Sequence, residues 1–230
     1  MTHQRLPFFS WWTTDRGMTA FLIVLVVQIF FIFPLAGLGL LARFMVDILF
    51  SLMMIAGVVA LERNRILTII MVTLTVVGVA VHWSSLYLSS FHHPVVDAAF
   101  LLGLFATFVV LMIMHIFRSG PITLHRVLGA VAAYLSIGIT WGFAFYLSAL
   151  LHPGAIQFNT PIGQHEVPEA RYLYFSFTTL TTIGYGDVIP IHPVARSLAT
   201  AEALVGQLYP AILIGGVLGI ALQSRMKSEK

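Results

Sequence analysis

Apolar residues form six long runs along the chain, and polar residues gather in the short stretches between them. A helix needs about 20 largely apolar residues to cross a bilayer, and each run is close to or above that length. The first run is too long for the core of a cleaved signal peptide, so we expect it to be retained. The pattern therefore predicts six transmembrane helices, at residues 18–41, 44–61, 66–91, 94–117, 122–151 and 194–223.

The positions of Lys and Arg predict the orientation of these helices, because cationic residues collect on the cytoplasmic side. Nine of the twelve fall on one side, namely Arg5, Arg16, Arg63, Arg65, Arg118, Arg126, Arg225, Lys227 and Lys230, and three fall on the other, Arg43, Arg171 and Arg196. We therefore expect a multi-pass protein of the cell (plasma or inner) membrane with both termini in the cytoplasm. Residues 1–17 then form a cytoplasmic or interfacial N-terminal segment.

Composition agrees with a membrane protein and excludes several other classes. Charged residues make up 9% of the chain and apolar residues 59%, whereas a soluble domain carries about 25% charged residues. The absence of Cys excludes disulfides, Cys-ligated metals and thiol catalysis. We find no nucleophile–His–acid set, phosphate-binding loop or metal-spaced cluster, so we predict no enzyme, no cofactor and no nucleic-acid partner.

The long connection between the fifth and sixth runs carries the most specific pattern. A Pro- and Gly-rich loop at residues 152–168 precedes a helix-compatible segment, 169–181, that is too short to span a membrane. The chain then reads Thr181-Thr182-Ile183-Gly184-Tyr185-Gly186-Asp187. Residues 182–186 resemble the selectivity filter of potassium channels, with Ile in place of the usual Val. The resemblance covers residues 145–223 and includes the short preceding helix, the following Asp and the Gly-bearing last helix.

This resemblance implies an all-α membrane protein in which four identical chains surround one filter. K⁺ would be the permeant ion, coordinated by the carbonyls of Thr182, Ile183, Gly184 and Tyr185 and by the Thr182 hydroxyl. Carbonyls that face one axis require alternating left- and right-handed residues, and only Gly adopts the left-handed conformation freely. We therefore expect Gly184 and Gly186 to occupy left-handed positions.

The resemblance also implies side chains that support the filter from behind. Tyr174 and Phe175 stand where many potassium channels have an aromatic cuff, so Tyr174 is expected to hydrogen-bond Asp187. Thr181 borders the filter. Thr178 stands where some members have a Glu, and its hydroxyl is expected to restrain the filter more weakly than a carboxylate would.

The last run contains candidates for gating and for the pore cavity. Gly206 stands where the family often has a hinge glycine, with Pro210 four residues later; both soften a helix, although close packing is an equally good explanation for Gly206. Gln207 is expected to face the cavity. Glu202 is the acid deep in this run. It could pair with Thr or Tyr behind the pore helix, make the cavity more negative, or be a protonated structural residue.

The resulting domain organisation is a four-helix bundle at 18–118 and a pore domain at 122–223, followed by a tail at 224–230. The pore domain comprises an outer helix, a pore helix at 169–181, the filter at 182–186 and an inner helix at 194–223. The fourth run contains no Lys or Arg, so we do not expect a charged voltage sensor. The tail is too short for a cytoplasmic ligand-binding domain. The short link after Arg118 predicts that the bundle packs on its own chain's pore helices.

The function predicted is passive, potassium-selective conduction. One alternative is the pore subunit of a potassium uptake system, although such subunits usually contain several filter repeats. Another is a haem or redox bundle ligated by His pairs. Five of the nine His are expected on the outer side, which raises the hypothesis of gating by external protons; these are His92, His93, His152, His165 and His192.

Overall fold

A computed structural model describes residues 14–32, 48, 51–52, 65–87, 94–117, 124–159 and 168–228. Over these residues the protein is mainly helical, with two three-residue strands and with turns, bends and irregular backbone between the elements, including residues 181–187. The elements are α1 (Thr14–Val27), continued by a π-helical turn at Gln28–Ile32, α2 (Arg65–Tyr87), α3 (Pro94–Ile116), α4 (Leu124–Leu151), β1 (Ile156–Phe158), α5 (Pro168–Leu180), β2 (Val188–Pro190) and α6 (Pro193–Ser228).

Three of the described helices are long and apolar enough to cross a membrane, within Pro94–Met114, Arg126–Leu151 and Pro193–Gly216. They correspond to the fourth, fifth and sixth predicted spans. Shorter apolar helical stretches lie at Thr19–Phe31 and Val72–Val81, inside the first and third predicted spans. Most of the second predicted span, at residues 44–61, lies outside the described residues.

Helices α1 and α3 pack on α4 and on each other, and α2 packs on α3. Phe21 of α1 meets Phe108 of α3 edge to face, with ring centroids 4.9 Å apart. Phe105 of α3 stacks on Phe143 of α4 at 5.6 Å, and all four rings belong to one buried cluster. Between helices in lipid, such close contacts stabilise by van der Waals packing, since lipid tails are as apolar as the side chains. Helices α1 and α3 thus lie against α4 within one chain, and packing of the whole bundle on its own chain's pore helices stays a prediction.

Helix α5, which corresponds to the predicted pore helix, packs against both α4 and α6; the name pore helix is kept for it below. It begins with Pro168 and has Glu169 in its first turn, which suits the first helical position and the positive end of the helix dipole. Its 13 residues span about 20 Å at 1.5 Å per residue, less than the bilayer core of about 30 Å. The helix runs one residue earlier at each end than the predicted 169–181.

The two strands join the loop before the pore helix to the segment after the filter. They are antiparallel, with Ile156 opposite Pro190 and Phe158 opposite Val188. Residues 152–168 were expected to form a loop, and β1 is a correction to that expectation. The partner of β1 lies about 30 residues further along the chain. No local turn signal in the sequence therefore indicates the pairing.

Candidate functional site

The end of the pore helix sets the direction in which the filter leaves it. Thr182 N–H donates to Thr179 O at 2.9 Å, and Ile183 N–H donates to Thr178 O at 2.9 Å. These two bonds, with Thr182 in the left-handed region at φ 58°, form a Schellman motif that terminates the helix. The motif normally uses Gly at the left-handed position, and a non-Gly residue there costs about 1–2 kcal/mol.

The backbone of the predicted filter, residues 182–186, alternates in handedness, as the resemblance implied. Gly184 has φ 53° and Gly186 has φ 83°, which confirms the left-handed conformations predicted for both glycines. Thr182 continues the same alternation one step earlier, and the prediction had not included it. Residues 181–186 are all exposed in the single chain; Ile183 is 54% and Tyr185 70% accessible. The filter therefore lies on a surface of the protomer and not in its core.

Thr178 supports the filter through its backbone, contrary to the expectation that its hydroxyl would do so. The Thr178 carbonyl accepts hydrogen bonds from Ile183 N–H and from Gly184 N–H, at 2.9 and 3.1 Å. The Thr178 hydroxyl instead donates to Phe175 O within the same helix at 2.9 Å. Thr181 behaves similarly, because its hydroxyl donates back to Phe177 O at 2.6 Å.

The predicted bond between Tyr174 and Asp187 is present. The Tyr174 hydroxyl donates to Asp187 Oδ2 at 2.8 Å, so the pore helix is linked directly to the residue that follows the filter. Desolvation, together with the bond to Asp187 and its charge, raises the pKa of Tyr174 to about 12. The phenol thus keeps its proton and remains a donor throughout the physiological pH range.

A second support of the filter mouth comes from Asn159, which sequence reasoning missed. Asn159 N–H donates to Asp187 O at 2.9 Å, and its side-chain amide donates to Gly186 O at 3.3 Å. Asn159 follows β1, whose Phe158 ring lies under the Arg171 guanidinium at 3.9 Å. Both contacts join residues far apart in sequence, so the only signal available was an Asn in a polar loop.

The pore helix lies close to α4 because two glycines leave room for it. A Cβ added to Gly138 would lie 2.6 Å from the Phe177 ring, and one added to Gly142 would lie 2.6 Å from the Leu173 side chain. The two glycines are four residues apart and therefore lie on one face of α4. This is the small-xxx-small pattern found in closely packed helix pairs in membranes. The pattern is visible in the sequence and could have predicted this contact.

The inner helix is equally close to the end of the pore helix. A Cβ on Gly206 would overlap Leu180 O and lie 2.8 Å from the Leu180 carbonyl carbon. Close packing therefore explains Gly206, and α6 continues as a helix through Gly206 and through Pro210. Gln207 is exposed on the single chain, which is compatible with the predicted position at the cavity.

Glu202 corrects one of the sequence expectations. It is fully buried, so in the described structure it does not face a cavity. Its Oε1 lies 2.5 Å from the Ser176 hydroxyl of the pore helix, and the partner is thus Ser, where Thr or Tyr had been expected. The Ser176 hydroxyl also lies 2.6 Å from Gly138 O. This contact joins the outer, pore and inner helices.

Two tyrosines tie the inner and outer helices together below the filter. The Tyr209 hydroxyl donates to Ala130 O at 2.9 Å, and the Tyr209 ring stacks on Tyr134 with centroids 5.7 Å apart. The Tyr134 hydroxyl donates in turn to Leu180 O, the last pore-helix carbonyl, at 3.3 Å. Both tyrosines are partly buried, and hydroxyls in such positions need partners, so these bonds fix the positions of the helices.

On the predicted outer side, His152 and His192 form a stacked pair. Their ring centroids are 4.3 Å apart with planes 13° from parallel, and His192 Nδ1 accepts from Val194 N–H at 3.3 Å. The pair joins the end of α4 to the start of α6. His92, His93 and His165 lie outside the described residues.

One comparison with known proteins matches this same part of the chain, and others match relatives over shorter lengths of it. A family model described as ion channel matches residues 122–223. A two pore potassium channel c of Oryza sativa subsp. japonica is 37% identical over 101 residues. The inward rectifier potassium channel Kirbac3.1 of Paramagnetospirillum magnetotacticum is 54% identical over 39 residues, and Protein LctB of Bacillus caldotenax is 55% identical over 42 residues. The chain is therefore similar to potassium channels over part of its length. No solved structure matches the chain.

These three relatives match the chain over a limited length. The match to the rice protein covers 44% of this chain and 20% of the relative. The match to Kirbac3.1 covers 17% and 13%, and the match to LctB covers 18% and 31%. The chain therefore spans less than a third of the length of each relative. Together with three helices of membrane-spanning length, these matches identify a mainly helical membrane protein.

Proposed function

We propose that the protein is a potassium-selective channel in which residues 182–186 of four chains form one filter. The observation that carries the proposal is the alternation of left-handed residues at Thr182, Gly184 and Gly186 directly after the end of a short helix. Alternating handedness turns successive carbonyls to the same side of a strand, which is what coordination of a dehydrated ion requires. The C-terminal end of α5 also offers the negative end of its dipole to a cation.

The homotetramer is supported by the surface of the single chain. A potassium ion needs about eight oxygens, and one strand cannot surround it. The filter is exposed. In the most apolar stretch of α6, 11% of the residues are buried, whereas 56% are buried in the corresponding stretch of α4. Leu204, Leu208 and Ile212 form an exposed stripe at four-residue spacing on α6. Three further copies of the chain would cover this stripe and complete the rings of carbonyls.

The proposal includes the absence of a charged voltage sensor. Helix α3 contains Asp97 but no Lys or Arg, and a sensor needs several charges that move through the membrane field. We infer that conduction is passive, in a cell membrane with cytoplasmic termini, and that the helices before α4 support their own pore domain. Thr182, Ile183, Gly184 and Tyr185 would coordinate K⁺ as the permeant ion, without a cofactor.

The test is reconstitution of the purified protein in liposomes with opposed K⁺ and Na⁺ gradients. A reversal potential that follows the K⁺ gradient supports the proposal. A reversal potential that is independent of the K⁺ gradient refutes the proposal. Gly184→Ala should abolish or relax selectivity, because Ala is strained at φ 53°. Gly103→Ala is the matched control, since nothing lies within 4 Å of a Cβ there.

The same experiment separates a channel from the pore subunit of an uptake system. Passive conduction by the purified chain alone supports the channel, whereas K⁺ transport that requires an added partner would favour the uptake system. Native mass spectrometry in detergent should give a mass of four chains. A monomer or dimer that conducts K⁺ selectively would contradict the tetrameric filter.

A further inference from the structure

A row of three buried oxygens crosses the junction of the outer, pore and inner helices. Gly138 O lies 2.6 Å from Ser176 Oγ, and Ser176 Oγ lies 2.5 Å from Glu202 Oε1. Ser176 and Glu202 are both 0% exposed. Both separations are within hydrogen-bond range, so each requires a proton between its two oxygens.

The two contacts need two protons, and the groups other than Glu202 supply only one. The Gly138 carbonyl carries none, and the Ser176 hydroxyl carries one. One hydroxyl proton cannot lie in both contacts, and an ionised Glu202 would leave two oxygens facing each other through lone pairs. The arrangement is satisfied if Glu202 donates to Ser176 and Ser176 donates to Gly138.

The rest of the Glu202 surroundings favour the same proton. Oε2 is buried and has no hydrogen-bond partner among the described residues. An ionised carboxylate would leave that oxygen charged and unpaired, which is expensive to bury. From α5 the polar group against Glu202 is Ser176; from α4, Tyr134 is the titratable side chain that interacts with it electrostatically. Tyr134 donates to Leu180 O.

The position of the row connects it to the filter. Ser176 lies two residues before Thr178, whose carbonyl accepts from Ile183 N–H and Gly184 N–H. A displacement of Ser176 along α5 would therefore move the carbonyl that holds the filter backbone. The neighbouring close contact between Gly138 and Phe177 leaves little space for the pore helix to shift without breaking the row.

We propose that Glu202 is kept protonated and acts as a positioning residue, donating to Ser176 so that the pore helix is clamped between the inner and outer helices. The effect on conduction rests on the proposed channel function. The protonation state does not, and it can be measured separately.

The first measurement is infrared spectroscopy of the full-length protein in liposomes at neutral pH. Wild type should show a protonated carboxylic acid carbonyl band that Glu202→Gln removes. In Ser176→Ala the band should persist but move to higher frequency, because the acid loses its acceptor. A wild-type spectrum without a band that disappears in Glu202→Gln would overturn the proposal, as would a Ser176→Ala band at the wild-type frequency.

The second measurement is K⁺ flux as a function of pH. Glu202→Gln retains a donor at the same place and has no proton to lose, so it should conduct like wild type at neutral pH. It should also resist alkaline conditions that inactivate wild type. Glu202→Leu, which lacks a donor, should lose most of the flux. If Glu202→Gln fails as Glu202→Leu does, or if both variants conduct normally, Glu202 is not a protonated positioning donor.

Discussion

Gly206→Ala tests whether the inner helix really approaches the backbone of the pore helix. The added methyl group would overlap Leu180 O and lie 2.8 and 3.1 Å from the Leu180 carbonyl carbon and Cα. These are backbone atoms, so no side-chain rotation relieves the overlap. Helix α6 would have to move away from the end of α5, just where the chain turns into the filter.

The size of the effect follows from two opposing contributions. Overpacking of a close contact costs typically about 1–3 kcal/mol, and sometimes more. Ala is better than Gly in a helix by about 0.5–1 kcal/mol. Because the neighbour is backbone, the first contribution should dominate, and we expect a net loss of about 1–2 kcal/mol or more. For a chain of this length each kcal/mol lowers Tm by about 2–4 °C.

The assay is thermal unfolding in detergent combined with K⁺ flux in liposomes. Gly103→Ala is the control, because the same substitution meets nothing within 4 Å there. We expect Gly206→Ala to have a lower Tm than the control and reduced K⁺ selectivity. A Gly206→Ala protein as stable as Gly103→Ala, changed only in its opening, would refute close packing and restore the hinge explanation.

One further prediction concerns the outer side of the filter. Tyr174→Phe removes the hydroxyl bonded to Asp187; it should make the K⁺ current inactivate faster, with Tyr172→Phe as a control on the same helix, and unchanged inactivation would argue against a supporting role.

The features that sequence predicted correctly are those that a local motif determines. The left-handed Gly184 and Gly186 follow from the residue types inside five consecutive positions. The bond from Tyr174 to Asp187 was implied by the same family resemblance, since both residues flank the filter at a fixed spacing. In these cases the short-range pattern and the tertiary structure impose the same arrangement.

The features that were missed depend on how distant segments meet. The contacts of Ser176 with Gly138 and Glu202 join three helices, and no single-helix pattern indicates which polar side chains will face one another. Asn159 reaches the filter because β1 pairs with β2. Thr178 shows a different limit, since residue type predicts what a hydroxyl can do but not that the carbonyl of the same residue will hold the filter.

Thr182 combines two demands that no single residue satisfies equally well. Its left-handed backbone at φ 58° would favour Gly, whereas the proposed coordination of K⁺ uses a hydroxyl that Gly lacks. The position therefore exchanges about 1–2 kcal/mol of conformational stability for an ion ligand. Thr182→Gly should therefore stabilise the fold but reduce conduction. Selection for stability and selection for activity thus oppose each other at this residue.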